Sequence, residues 1–344
     1  MTTLAVWIRK HQITAFLAVT FSFLLIIPLL GFFVWPLFFP MNRIVALYVT
    51  RLAIYGPVLA GIIVTRIASG GHREGFGSKR LAAFFISWIL ICLASVIYHQ
   101  SLEPLADRLP VTLLIVMPIA FLPAFVISGA FSNMVGIRAY LSSLIHPKGS
   151  AAWYLIALLT FPAIHVLGTA IAQVMNSEPI IASWSLSPDL ALAAVLTFVR
   201  VFLYTGGINE ECGWRGFLLT RLQARYCPLI AGLLIWAVHM VWELPGDLLS
   251  SGGSWPWLSR LVLMPSWSLL FLWVYNRTNG SILAPVLFHT SMNAMNPLMG
   301  IFPVSTPVII LLVLIAVISV VWDKMWLKLP QHHPAVYRGL NTDV

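Results

Sequence analysis

The chain has 344 residues, of which 60% are hydrophobic and only 9% charged, with a formal net charge of +9. Soluble globular chains carry about 25% charged residues, so this composition does not fit a water-soluble fold. The basic excess lies between apolar runs, where it speaks for membrane topology rather than for a nucleic-acid partner.

The apolar residues form long runs with few charges, and such runs read as membrane-spanning helices. In hydrocarbon every backbone N–H and C=O needs a partner within the protein, which a helix supplies. A β-barrel would need ten-residue stretches of alternating polarity, and none is present. The expected fold is therefore all-α, a polytopic transmembrane helical bundle. Ten spans are expected in chain order, at about 13–39, 44–66, 81–99, 111–133, 152–175, 188–206, 228–244, 258–276, 281–296 and 306–327. Arg9 and Lys10 precede the first run, which is too long for a signal-peptide core and reads as a retained helix.

With the N-terminus inside, fourteen Lys and Arg fall in inner segments, and only Arg43, Arg108 and Arg260 fall in outer loops. That positive-inside bias favours an even number of spans with both termini cytoplasmic. Cys92, Cys212 and Cys227 all lie in or beside apolar segments, so a disulfide framework is not expected. There is no linker, low-complexity tract or internal repeat, and an inverted-repeat transporter would be expected to show a repeat.

Polar residues in a bilayer cost about 2.5–3.5 kcal/mol each when charged at a helix centre, so they are candidates for function. Three segments in the C-terminal half collect them. The first is Asn209-Glu210-Glu211-Cys212-Gly213-Trp214-Arg215-Gly216. Adjacent carboxylates in an apolar setting repel each other, and keeping both ionised is costly. On a helix Glu211 and Arg215 are four apart and share a face, so Arg215 can hold Glu211 ionised. Glu210 points about 100° away and remains a candidate general base. The plainer alternative is a structural ion pair at a helix end.

The second segment places His239 about 18 Å along its span, with Glu243 one turn further on the same face. The two could orient one another or ligate a metal. The third runs from Gly280 through Pro285 to His289 and Asn293, which again share a helix face. Both can donate to one oxygen, as an oxyanion site requires, although interhelical polar contacts would use the same residues. His99, His165 and Gln173 read as interhelical contacts, and Arg51 and Arg200 as snorkelling or paired cations.

Taken together, Glu-Glu-x-x-x-Arg, then a helical His, then His-x-x-x-Asn, resemble the type II CAAX prenyl protease and bacteriocin-processing group, the Abi or CPBP intramembrane proteases. The context Gly213-Trp214-Arg215-Gly216-Phe217-Leu218-Leu219 and Leu222-Gln223 resembles the first motif of that family. Asn276 through Asn293 resembles its last segment. The resemblance is best over 188–296, with weaker echoes in Tyr55-Gly56-Pro57 through Gly75 and near Trp153-Tyr154.

The resemblance implies that Glu210 activates water with His239, and that His289 and Asn293 bind the oxyanion. It implies that Glu211 and Arg215 form the supporting pair; Glu243 joins them as a supporting residue from its spacing to His239 alone. It also implies about eight helices around a cavity open to the cytoplasmic side, where ten spans are counted here. The third and fourth spans then read as an inserted hairpin, which preserves topology. Ile235 stands where the family usually has Phe.

The expected organisation is 1–150 for the N-terminal helices with the hairpin at 81–133, 151–330 for the catalytic core, and 331–344 for a cytoplasmic tail. The expected function is a metal-independent, glutamate-type intramembrane endopeptidase with no cofactor. Its substrate would be a peptide or protein, lipidated in the family's best-known class, and its surroundings membrane lipid. Two alternatives stand beside it. One is a metalloprotease using Glu210, His239, Glu243 and His289, which lacks the His-Glu-x-x-His spacing. The other is a non-catalytic immunity or scaffold protein or a small transporter.

Overall fold

Helices dominate because the apolar runs leave the backbone no other way to satisfy its hydrogen bonds in lipid. The computed structural model describes residues 3–38, 43–70, 77–102, 104, 108–176, 186–204, 206–250 and 259–338. Arg73, one of the fourteen inner cations, and Gly75, the end of the N-terminal echo, lie outside the described residues.

In chain order the α-helices are α1 (Thr3–Lys10), α2 (Gln12–Pro28), α3 (Arg43–Ile54), α4 (Gly56–Ala68), α5 (Ser78–Ser101), α6 (Leu109–Ser128), α7 (Val135–Leu141) and α8 (Ala151–Met175). They continue with α9 (Pro188–Tyr204), α10 (Gly207–Glu211), α11 (Thr220–Gln223), α12 (Pro228–Ser250), α13 (Met264–Arg277), α14 (Leu283–Ala294) and α15 (Thr306–Trp322). No strand occurs among the described residues. The protein is an integral, multi-pass helical membrane protein.

Among the described residues, six helices are long and apolar enough to cross a membrane: Gln12–Leu37, Ser78–Ser101, Leu109–Phe131, Ala151–Met175, Pro188–Gln223 and Pro228–Gly246. A seventh crossing is bent by 50° between Tyr48–Ile54 and Gly56–Ala68. The bend has a local cause. Pro57 has no N–H to give to the preceding turn, and its ring crowds the carbonyl of Ala53, so α3 cannot run on into α4. The expected spans at 258–276, 281–296 and 306–327 correspond to the shorter α13, α14 and α15, of 14, 12 and 17 residues.

The chain forms two compact units, each described by itself. One comprises Met1–Pro147, Val199–Leu218 and Arg338–Val344. In it α2 packs on α4, and α5 pairs with α6 as a hairpin around Ile91, Cys92, Ile115, Val116, Ala120 and Ala124. Trp88 Nε1 donates to the Met117 carbonyl at 2.9 Å and fixes the register of that hairpin.

The other unit comprises Lys148–Phe198 and Leu219–Tyr337. Its core joins α8, α13, α14 and α15 through Phe161, Ile164, Leu270, Phe271, Phe288 and Leu312. Gly168 of α8 sits where a Cβ would lie 2.8 Å from the Val308 nitrogen, so only glycine lets α8 and α15 approach this closely. Among the expected interhelical contacts, His165 Nδ1 lies 3.0 Å from the Phe302 carbonyl, tying α8 to the segment after α14. The segment after α15 also packs here. Tyr337 N–H donates to the Thr220 carbonyl at 3.0 Å, Gln223 Nε2 donates to the Ala335 carbonyl at 3.0 Å, and Ala335 and Val336 are buried.

Candidate active site

The first cluster belongs to the unit built on α2, α4 and α10. Gly206, with φ of +89°, separates α9 from α10, and Glu210 and Glu211 close α10. The helix then widens into a π-helix over Cys212–Leu219, a form often found at functional sites. Nη1 of Arg215 lies 3.1 Å from both carboxylate oxygens of Glu211, so the expected pair forms. Glu211 is 0% and Arg215 1% exposed. Glu210 is also buried and lies within electrostatic reach of Arg215.

Neighbouring helices fix this turn in place. Asn209 Nδ2 donates to the carbonyl of Ile54 at 3.0 Å, the last carbonyl of α3 before the bend. Tyr140 donates its hydroxyl to the Cys212 carbonyl at 2.7 Å. Gly213 is required by close approach, since a Cβ there would lie 2.5 Å from the Pro57 carbonyl carbon. Trp214 and Phe217 pack on Phe16, with ring centroids at 5.8 and 4.9 Å. The N-terminal Tyr55-Gly56-Pro57 echo is thus the surface against which the Glu-Glu motif packs.

The second cluster lies in the other unit. His239 Nε2 is 3.4 Å from Oε1 of Glu243, one turn away on α12. Glu243 is in turn paired with Arg260, whose backbone carbonyl accepts from Trp236 Nε1 at 2.8 Å. Glu243 therefore links His239 to a guanidinium. Arg260 entered the sequence reading only as an outer-loop cation. The sequence marks it as a cation at the head of an apolar run, and nothing in the spacing ties it to Glu243. It stands on a π-helical turn, Ser259–Leu263, that leads into α13.

His289 and Asn293 lie one turn apart on α14. His289 is buried, and its ring stacks on Phe271 with centroids 5.5 Å apart and planes at 14°. That stacking restricts the imidazole to one plane. Asn293 is partly buried. The turn into α14 uses two positive-φ residues, Asn279 and Gly280. It is braced by a reciprocal amide pair, in which Gln223 Nε2 donates to Asn276 Oδ1 at 3.1 Å and Asn276 Nδ2 donates to Gln223 Oε1 at 2.8 Å. Gln223 and Asn276 belong to the segments that resemble the family, and this brace is their physical task.

Comparison with known proteins finds likeness over the stretch that carries the motifs. Residues 191–295 match the family model described as type II CAAX prenyl endopeptidase Rce1-like. A curated protein named CAAX prenyl protease 2, from Methanococcus maripaludis, is 24% identical over 160 residues, which cover 43% of this chain and 59% of that protein. The resemblance to the type II CAAX prenyl protease group is borne out over this stretch, which includes Glu210, Glu211, Arg215, His239, Glu243, His289 and Asn293.

Proposed function

We propose that the chain is an intramembrane endopeptidase that hydrolyses a peptide bond near the cytoplasmic membrane face. The observation that carries this reading is that the family match at 191–295 encloses every buried polar residue the motifs single out. In the proposed centre Glu210 and His239 take a proton from water as its oxygen adds to the substrate carbonyl carbon. His289 and Asn293 donate hydrogen bonds to the oxygen that becomes negative. The proton then passes to the departing amine as the C–N bond breaks. Glu211 and Arg215 hold the turn that carries Glu210.

The Glu243–Arg260 pair supports a glutamate-type mechanism over a metal-dependent one. A carboxylate engaged by a guanidinium orients His239, whereas as a metal ligand it would have to give up that cation. The name of the Methanococcus relative makes a CAAX peptide the first substrate class to try. Purified protein should be incubated with a prenylated CAAX peptide and its unprenylated twin, with cleavage read by mass spectrometry, with and without chelator. Cleavage unaffected by chelator supports the reading. Loss of cleavage with chelator, restored by zinc, would replace it with a metalloprotease.

A further inference from the structure

The unit that holds the Glu-Glu motif has a second charged feature, far along the sequence from it. Arg80 Nη1 donates to Ser132 Oγ at 3.3 Å, and Arg138 Nη1 donates to the Ser132 carbonyl at 2.9 Å. Arg66, near the end of α4, acts on Arg80 electrostatically. Lys79 precedes Arg80 and is exposed, as are Arg66 and Arg138. All four lie at one membrane edge, because Ser78 opens one crossing and Phe131 closes its hairpin partner. Like charges brought together at a bilayer surface repel, and this arrangement gains most when an anion lies among them.

A second observation says what kind of anion. Lys79 heads a stripe on α5 that continues through Ala82, Ile86, Leu90, Leu93 and Ile97, with steps of three or four residues. Every member is exposed, so the stripe faces hydrocarbon. A ligand with phosphate at one end and a long apolar chain at the other matches both features. Guanidinium groups bind phosphate oxygens through directed, charge-assisted hydrogen bonds, and the ammonium of Lys79 adds a point charge.

We propose that the α4–α5–α7 edge binds one anionic phospholipid, with its phosphate at Arg138, Arg80, Lys79 and Arg66 and an acyl chain along the α5 stripe. The site is independent of the proposed peptidase centre, so it stands or falls separately from that function. Basic pockets at helix ends on one membrane face are a recurrent way of holding such lipids.

The test uses the full chain in detergent, with phosphatidylglycerol or phosphatidylcholine added and the retained lipid read by native mass spectrometry. Phosphatidylglycerol should be retained in preference to phosphatidylcholine. Lys79→Gln combined with Arg138→Gln, both at exposed positions, should weaken that retention at least about tenfold, the worth of one charge-assisted hydrogen bond. Lys328→Gln, at an exposed cation of the other unit, should leave it unchanged. Inorganic phosphate at millimolar concentration should fail to displace the lipid, since it lacks the apolar part. Equal retention of the two lipids would overturn the proposal. So would an equal loss in Lys328→Gln, full displacement by phosphate, or unchanged retention in the double variant.

Discussion

Arg215 Nη1 lies 3.1 Å from each carboxylate oxygen of Glu211, and both side chains are shut off from solvent. Breaking a buried pair by removing one partner typically costs about 3–5 kcal/mol, because the other charge is left unmatched. Glu211→Gln and Arg215→Ala should therefore both lower the yield of folded protein and its thermal midpoint in detergent. A midpoint equal to wild type in either variant would mean that the pair is not what holds this turn.

Gly213→Ala should destabilise the same turn by a different route. The added Cβ would overlap Pro57 backbone, which is not the movable end of a side chain. Overpacking of this kind costs about 1–3 kcal/mol. Gly246→Ala is the matched control, because nothing lies within 4 Å of its added Cβ. Replacing a helical glycine there should be neutral or stabilising by up to about 1 kcal/mol. Thermal unfolding of the two variants side by side checks the contrast.

The glutamate–arginine pair was readable from spacing alone, because residues four apart on a helix face each other whatever the tertiary fold. The same reasoning placed Glu243 beside His239. It could not reach Arg260, whose link to Glu243 spans 17 residues and depends on how α12 and the turn into α13 pack. Nor could it see the Gln223–Asn276 brace, which joins positions 53 residues apart. The helical bundle followed from hydropathy. Helix lengths did not follow, because a short apolar run such as α14 is packed by its neighbours rather than measured by the bilayer. Nor could spacing or hydropathy show that Ala335 and Val336, within the polar stretch after Leu329, are buried, because the segment's partners at Thr220 and Gln223 lie more than 110 residues away.

That segment should be sensitive to pH. Ala335 N–H donates to Nδ1 of His333 at 3.2 Å, which requires that nitrogen to be unprotonated. Burial, and then the neighbouring His332, push the His333 pKa below its usual 6.5. The unfolded segment therefore binds more protons than the docked one between the lowered value and 6.5. Docking is fully stabilised above about 6.5 and weakens as pH falls through that window. Hydrogen-exchange protection at residues 333–337, taken relative to the intrinsic rate at each pH, should fall on acidification in wild type and lose that dependence in His333→Ala. Identical pH profiles would remove His333 from the account.

The charge distribution predicts that both termini are cytoplasmic. Reporter fusions after residue 180 and after residue 344 should then give signals from opposite sides of the membrane. Signals from the same side would break the ten-span topology and place the proposed centre relative to the wrong face.

The central claim is that Glu210, and not its neighbour Glu211, performs the chemistry. Glu210→Gln removes a base without leaving Arg215 unmatched, since the Glu211 pair remains. The decisive measurement is peptide turnover by Glu210→Gln purified to wild-type thermal stability, against the wild-type chain on the same CAAX peptide. The account predicts intact substrate binding and turnover at least about 100-fold slower, the lower end for loss of a general base. Full activity in that folded variant would contradict it.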